Sequence, residues 1–183
     1  MNYNVLIDKY YSGNPELKNI LLVHSRQVAD RALRIVDSHP ELQVDRQFVE
    51  EAAMLHDIGI IFCDAPNIHC YGTHHYMEHG WLGAELLRRE GYPRHADVAE
   101  RHTGTGITLD TVLANDWNIP AQDYTPRTTE EEIICYADKF YSKSHIYEEV
   151  PYQKVRNNIW RYGSDSVARF DKWRTKFENN LIL

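Results

Sequence analysis

Cysteine is scarce. Cys63, Cys70 and Cys135 are three thiols, an odd number that gives no disulfide framework. Long apolar runs are missing too, since nothing approaches the roughly 18 to 20 residues that a bilayer-crossing helix needs. Met1 to Tyr11 lacks the charged-then-apolar order of a secretory signal. These absences exclude membrane residence and predict a cytoplasmic protein. Basic charge is in deficit: the formal net charge is -7, which argues against an extended nucleic-acid footprint. There is no convincing strand alternation, no internal repeat and no low-complexity linker. A chain of 183 residues predicts one domain, long enough to bury a real core.

What is present is helical periodicity. Asn14 caps a helix opening at Pro15. Leu17, Ile20, Leu21, His24, Val28, Ala32 and Ile35 then recur at spacings of three and four until His39-Pro40. Asp45 caps a second helix, with Phe48, Val49, Ala52, Ala53 and His56 on one face and Gly59 read as its C-terminal glycine. Ile60 to Tyr76 has no period and reads as a long loop. Helices follow from about Met77 to Glu90 and from about Arg94 to Thr103. Thr105 to Thr128 is mostly irregular, with one helical turn near Leu109 to Ala114. Thr129-Glu130-Glu131-Glu132 reads as a capping box for a helix with Ile133, Ile134, Ala137, Asp138 and Tyr141 inward. Two last helices, Pro151 to Tyr162 and Ser166 to Glu178, are separated by Gly163, and their apolar faces suit a core or a homodimer. Trp81, Trp117, Trp160 and Trp173 read as packing residues. The fold class is all-α.

Histidine is abundant: ten residues, seven of them between His56 and His102. His24, His56, His102 and Asp138 each occupy a position where the helical pattern calls for an apolar side chain. An unpaired buried carboxylate is strongly disfavoured. Separate core hydrogen bonds would satisfy any one of these residues. A shared metal centre satisfies them all, and the adjacent His56-Asp57 pair supplies two ligand types at a helix end.

In the order His24, His56-Asp57, Asp138, all on helices, the chain resembles the HD phosphohydrolase superfamily. His56-Asp57-Ile58-Gly59 is the run that names its HDIG subgroup, and Tyr136-Ala137-Asp138-Lys139 looks like the last ligand segment. The resemblance spans roughly residues 20 to 145 and implies an HD-domain helical bundle occupying 1-183, with C-terminal helices at about 151-179. His79-Gly80 and Arg101-His102-Thr103-Gly104 look like the extra ligands of the binuclear branch. The resemblance thus implies that His24, His56, Asp57 and Asp138 hold one ion, and His79, His102 and a bridging Asp57 a second. The mononuclear nucleotidases of the superfamily lack the two middle histidines. Iron is favoured, then manganese, with zinc or nickel possible.

Two cations sharing a water would support hydrolysis of a phosphoester or phosphoanhydride, the substrate being a nucleotide or another small phosphorylated molecule. Asp57 is ligand and proton acceptor. Lys139, Lys143 and Arg101 are candidates to meet the phosphate, and Asp64, in the loop, is a candidate acid or base at the cleft mouth; Arg26 reads as surface. Relatives often carry Lys directly after the HDIG run, where this chain has Ile60. Cys63, His69 and Cys70 match no usual zinc module. Two other classes stay open: a di-iron oxygenase of the same fold, and a nucleotide-binding module without catalysis.

Overall fold

The computed structural model describes residues 1–178. Nine helices among these residues carry the fold: α1 (Tyr3–Tyr11), α2 (Pro15–Ser38), α3 (Arg46–Leu55), α4 (His79–Arg89), α5 (Pro93–Arg101), α6 (Leu109–Leu113), α7 (Thr129–Asp138), α8 (Tyr152–Ile159) and α9 (Ser164–Glu178). No helix among the described residues is long and apolar enough to cross a membrane. The caps follow local chemistry. Asn14 Oδ1 accepts from Leu17 N at 3.0 Å and Asp45 Oδ1 from Phe48 N at 3.0 Å, each satisfying an orphan amide of a first turn.

Two apolar clusters form, and the polar centre lies on the seam between them. One gathers Val28, Ile35, Ala52, Ala53, Ile133, Ile134, Val155, Ile159, Val167 and Phe170 around α2, α3, α7 and the C-terminal pair. The other gathers Leu6, Ile7, Tyr11, Leu17, Leu21, Leu55, Ile58 and Leu86. α2 serves both: Leu21 belongs to the second and Val28 to the first, with His24 between them. At the end of α3 the chain passes from Met54 of the first cluster to Leu55 of the second, and His56-Asp57 follows at once, ahead of Ile58.

Several expectations change. α1 lies before the first helix read from the sequence; its Tyr11 hydroxyl donates to Ile58 O at 2.8 Å, a tie from 47 positions away. Gly59 is not a left-handed helix terminator. It sits in a 3-10 helix, Ile58–Phe62, pressed against α4. A Cβ there would collide with His79 O and Gly83 N, and would lie 2.8 Å from Gly83 Cα. The long loop is ordered and contains a short antiparallel pair, β1 (Asp64–Ala65) with β2 (Cys70–Tyr71), too short to show alternation. The cap of α7 is Thr128 rather than Thr129: its hydroxyl accepts from Glu131 N at 3.2 Å, and Glu131 Oε2 accepts from Arg127 N at 2.9 Å. Trp160 is exposed, whereas Trp173 is buried. Val155, Ile159, Val167, Phe170, Trp173 and Phe177 are buried within the chain, whereas Tyr162, in the turn before α9, is exposed.

Candidate metal centre

All six histidines and carboxylates singled out as ligands converge. One group is His24, His56, Asp57 and Asp138; the other is Asp57, His79 and His102. Within each, one ligand atom per residue lies within 4.8 Å of the rest, and every member is buried. Cys63, His69 and Cys70 are in neither group.

Asp57 joins the two sets through different oxygens. Its Oδ2 stands 3.1 Å from both His24 Nε2 and His56 Nε2. Its Oδ1 stands 3.3 Å from His79 Nε2 and 3.2 Å from His102 Nε2. Asp138 Oδ1 closes the first set at 3.0 Å from His24 Nε2 and 3.5 Å from His56 Nε2.

Helix ends explain how the rings are aimed. His56 and His102 are the C-caps of α3 and α5, and His79 caps the 3-10 turn Tyr76–Glu78. The last carbonyls of a helix lack intrahelical donors. Each of these rings donates Nδ1–H to the carbonyl three residues back: Ala53 at 2.6 Å, Tyr76 at 2.6 Å and Ala99 at 2.8 Å. That bond fixes the tautomer and leaves Nε2 as the lone-pair donor facing the centre.

The set fits a cation on its own chemistry. His24 Nε2, His56 Nε2 and both oxygens of Asp57 are buried and make no hydrogen bond, despite their short separations. They converge on shared points instead of donating to each other, as ligands do. Orphaned buried polar atoms are otherwise rare.

Charge supports the same reading. Burial opposes ionisation of Asp57 and Asp138, yet His56 and Lys143 hold Asp57, and Lys139 and His24 hold Asp138, well below the ordinary carboxylate range. Both are anionic at neutral pH. Burial drives His102 down to about 3, so it is a neutral donor. Burial also works against charge on His56, but Asp57 and Asp138 outweigh it and lift the imidazole to about 9. A cation must therefore displace a proton from His56. Metal affinity is expected to rise roughly tenfold per pH unit from about pH 7 and to level off above about pH 9. Binding isotherms at several pH values, in buffers of different ionisation enthalpy, check this; an affinity flat between pH 7 and 9 would contradict it.

The expected cationic residues separate into two kinds. Lys143 Nζ lies 2.6 Å from Asp57 Oδ2, and Lys139 Nζ lies 2.7 Å from Asp138 Oδ2 and 3.3 Å from His102 O. Lys143 arrives through the irregular segment after α7, not as a further helical turn. Arg101 is a correction. It is buried on the far side of α5's end, with Nη1 3.0 Å from Glu131 Oε1 and Nη2 3.3 Å from Asp97 Oδ1, because neighbouring residues on a helix point about 100° apart. Arg26 pairs with Glu50 at 2.9 Å, away from the centre. Asp64 is exposed and lines an open cavity of about 640 Å³ together with Tyr76, Lys139 and Lys143.

A second cavity, about 780 Å³, opens on His79, His102 and Asp138 and shares Tyr76, Lys139 and Lys143 with the first. The sequence reading missed Thr105, Arg161 and Arg169 in its wall. The Gly104-Thr105-Gly106 alternation directly after His102 was the one local signal for Thr105; nothing local marks the arginines.

Residues 21–142 match the HD domain family. A protein of uncharacterised function from Methanocaldococcus jannaschii is 34% identical over 129 residues, covering 67% of this chain and 69% of that one. A tRNA (cytidine(56)-2'-O)-methyltransferase of Picrophilus torridus is also 34% identical over 129 residues, covering 70% of this chain and 33% of its own. The enzyme of the same name from Thermoplasma volcanium is 28% identical over 163 residues, covering 88% and 43%. The chain thus spans a third to under half of those two methyltransferases. No solved structure matches.

Proposed function

We propose that this chain, which belongs to the HD domain family, is a metal-dependent phosphohydrolase that cleaves a phosphoester or phosphoanhydride of a nucleotide or similar small molecule. The observation that carries the reading is the Asp57 carboxylate, with one oxygen facing His24 and His56 and the other facing His79 and His102. Such a carboxylate suits a pair of ions. Mixed imidazole and carboxylate donors suit iron, manganese, zinc or nickel rather than calcium, and iron then manganese are the first to try.

Divalent cations held by these residues would supply Lewis acidity toward water and phosphoryl oxygen. The protein's own part is positional. Asp57 and Asp138 bring the anionic charge that attracts the cations, and the three carbonyl-anchored imidazoles fix the directions of their lone pairs. In this reading Asp57 also takes up a proton from the attacking water. With Asp57 and Asp138 engaged as ligands, the Lys139 and Lys143 ammonium groups face the cavity and can meet phosphoryl oxygens. Methyl transfer is not carried over from the named relatives, because the shared segment occupies 43% or less of each.

Phosphate release from phosphomonoesters, phosphodiesters and nucleotides under anaerobic conditions, with metal content measured alongside, tests the proposal. Turnover without oxygen supports it. Product formation that consumes oxygen would replace it with an oxygenase, and tight nucleotide binding without turnover with a binding module. His79→Ala and His102→Ala should each lower the metal content from about two ions per chain toward one. Elemental analysis decides this; one ion in the parent, unmoved by either substitution, would mean a mononuclear centre.

A further inference from the structure

The cavity of about 780 Å³ has a wall that the metal ligands do not form. Thr105, Arg161 and Arg169 line it. Thr105 is 3% exposed, and its hydroxyl is buried without a hydrogen-bond partner, an unusual condition for a buried polar group. Arg169, half-buried on α9, donates Nε–H to Thr105 O at 3.0 Å. Among the described residues its guanidinium has no carboxylate within ion-pair distance, so the two terminal nitrogens remain free to act together. Asp123 is close enough for Arg169 to contribute to its lowered pKa, but its Oδ1 already accepts from Thr125 N at 2.9 Å.

The loop that carries Thr105 is built tightly. Gly104 and Gly106 have φ of +63° and +94°, the left-handed region that favours glycine. Gly106 N donates to Thr103 O at 3.0 Å, and a Cβ on Gly106 would lie 2.8 Å from Thr125 Cα. Thr105 follows the ligand His102 by three residues, a reach of roughly 11 Å at most. The cavity as a whole is cationic. Lys139, Lys143, Arg161 and Arg169 line it against two carboxylates, Asp138 and Asp165, in a chain of net charge -7.

We propose that Thr105 and Arg169 form an anion subsite beside the metal centre and hold a second phosphate of the substrate. The fork of terminal guanidinium nitrogens matches a phosphate edge, and the orphan hydroxyl supplies a third hydrogen bond. Given the phosphohydrolase reading, on which this rests, the substrate class is a nucleotide carrying two separate phosphates, one held here and one cleaved. Arg161, whose Nε donates to Asn158 O at 2.9 Å, adds charge at the same wall. Arg161 and Arg169 lie beyond the segment that matches the HD domain family.

Trp117 also lines the cavity, so its fluorescence reports occupancy before turnover. Stopped-flow binding of adenosine 3',5'-bisphosphate and adenosine 5'-monophosphate to the full metal-bearing chain tests the proposal. The parent should prefer the bisphosphate by roughly 10- to 100-fold, the range for charge-assisted hydrogen bonds. Arg169→Gln, which keeps a donor for Thr105 O, and Thr105→Val should each bring that preference toward unity; Arg169→Lys should recover part of it. Thermal melts establish that each variant folds, and either variant alone suffices. Equal affinity in the parent, or a preference that survives both substitutions, overturns the subsite. The hydrolase reading fails separately: a chain that binds the bisphosphate through Arg169 yet releases no phosphate keeps the subsite and loses the hydrolysis.

Discussion

Asp57→Asn should empty the centre and reduce turnover by roughly a thousandfold or more. Lewis-acid stabilisation is worth several kcal/mol, and here one carboxylate serves both sets of imidazoles. An asparagine offers one oxygen and an amide whose hydrogens would point at either His24 and His56 or His79 and His102. Whichever set faces the amide loses its shared anion, and the other keeps a weaker neutral ligand. Metal per chain should fall below one ion, a larger loss than truncating His79 or His102 produces. Lys143 loses the carboxylate 2.6 Å away, but it borders a cavity and can turn into solvent. The metal-free variant should therefore lose about 3 kcal/mol at most, the low end for breaking a buried ion pair. Asp64→Asn, on the exposed rim, is the control and should keep its metal. Retention of two ions by Asp57→Asn would refute the bridging arrangement.

Gly59→Ala should be among the most damaging single-methyl additions in the chain, beside Gly72→Ala, where a Cβ would meet the backbone of Phe62 and Cys63. The new Cβ meets backbone, His79 O and Gly83 N, not a flexible side-chain tip. Relief requires α4 and the Ile58–Phe62 turn to separate. Overpacking of this kind costs about 3 kcal/mol or somewhat more, a fall in Tm of roughly 6 to 12 °C for a chain of this size. Because the struck atom is the carbonyl of His79 itself, the second metal set should loosen along with the fold. Gly13→Ala, where an added Cβ meets nothing within 4 Å, should leave Tm unchanged or slightly raised. Differential scanning calorimetry with metal analysis checks both, and an undisturbed Gly59→Ala would mean that the turn and α4 are less closely packed than described.

Four of the six clustered residues, His24, His56, His102 and Asp138, were readable because each breaks an apolar period at a helical position; Asp57 and His79 were read from the HDIG run and the resemblance to the binuclear branch. His24 falls among Leu17, Leu21 and Val28, and Asp138 follows Ile134 by one turn. Buried polarity on several helices is a long-range statement that local spacing happens to reveal. What stayed hidden depended on contacts far apart in sequence. α1 is short, and its Tyr11 is fixed by Ile58 across 47 positions. Arg101 beside His102 looked like a site residue, but helical geometry sends it to Glu131. Gly59 in the HDIG run resembled a helix stop, when its function is to admit the backbone of α4. Arg169 contacts Thr105 across 64 positions, and the period of α9 gives no hint of that pairing.

The division of the cavity wall also bears on how such a protein changes over time. The cradle of imidazoles and carboxylates is carried by α2 and α7, the C-terminal ends of α3 and α5 and the first residue of α4, whereas Arg161 lies in the turn between α8 and α9 and Arg169 on α9. Replacing Arg161 or Arg169, which face the cavity, changes none of the six clustered side chains. On the proposed reading, selection can retune which molecule is admitted while the metal-holding side chains stay fixed, so paralogues that keep those six residues need not share a substrate.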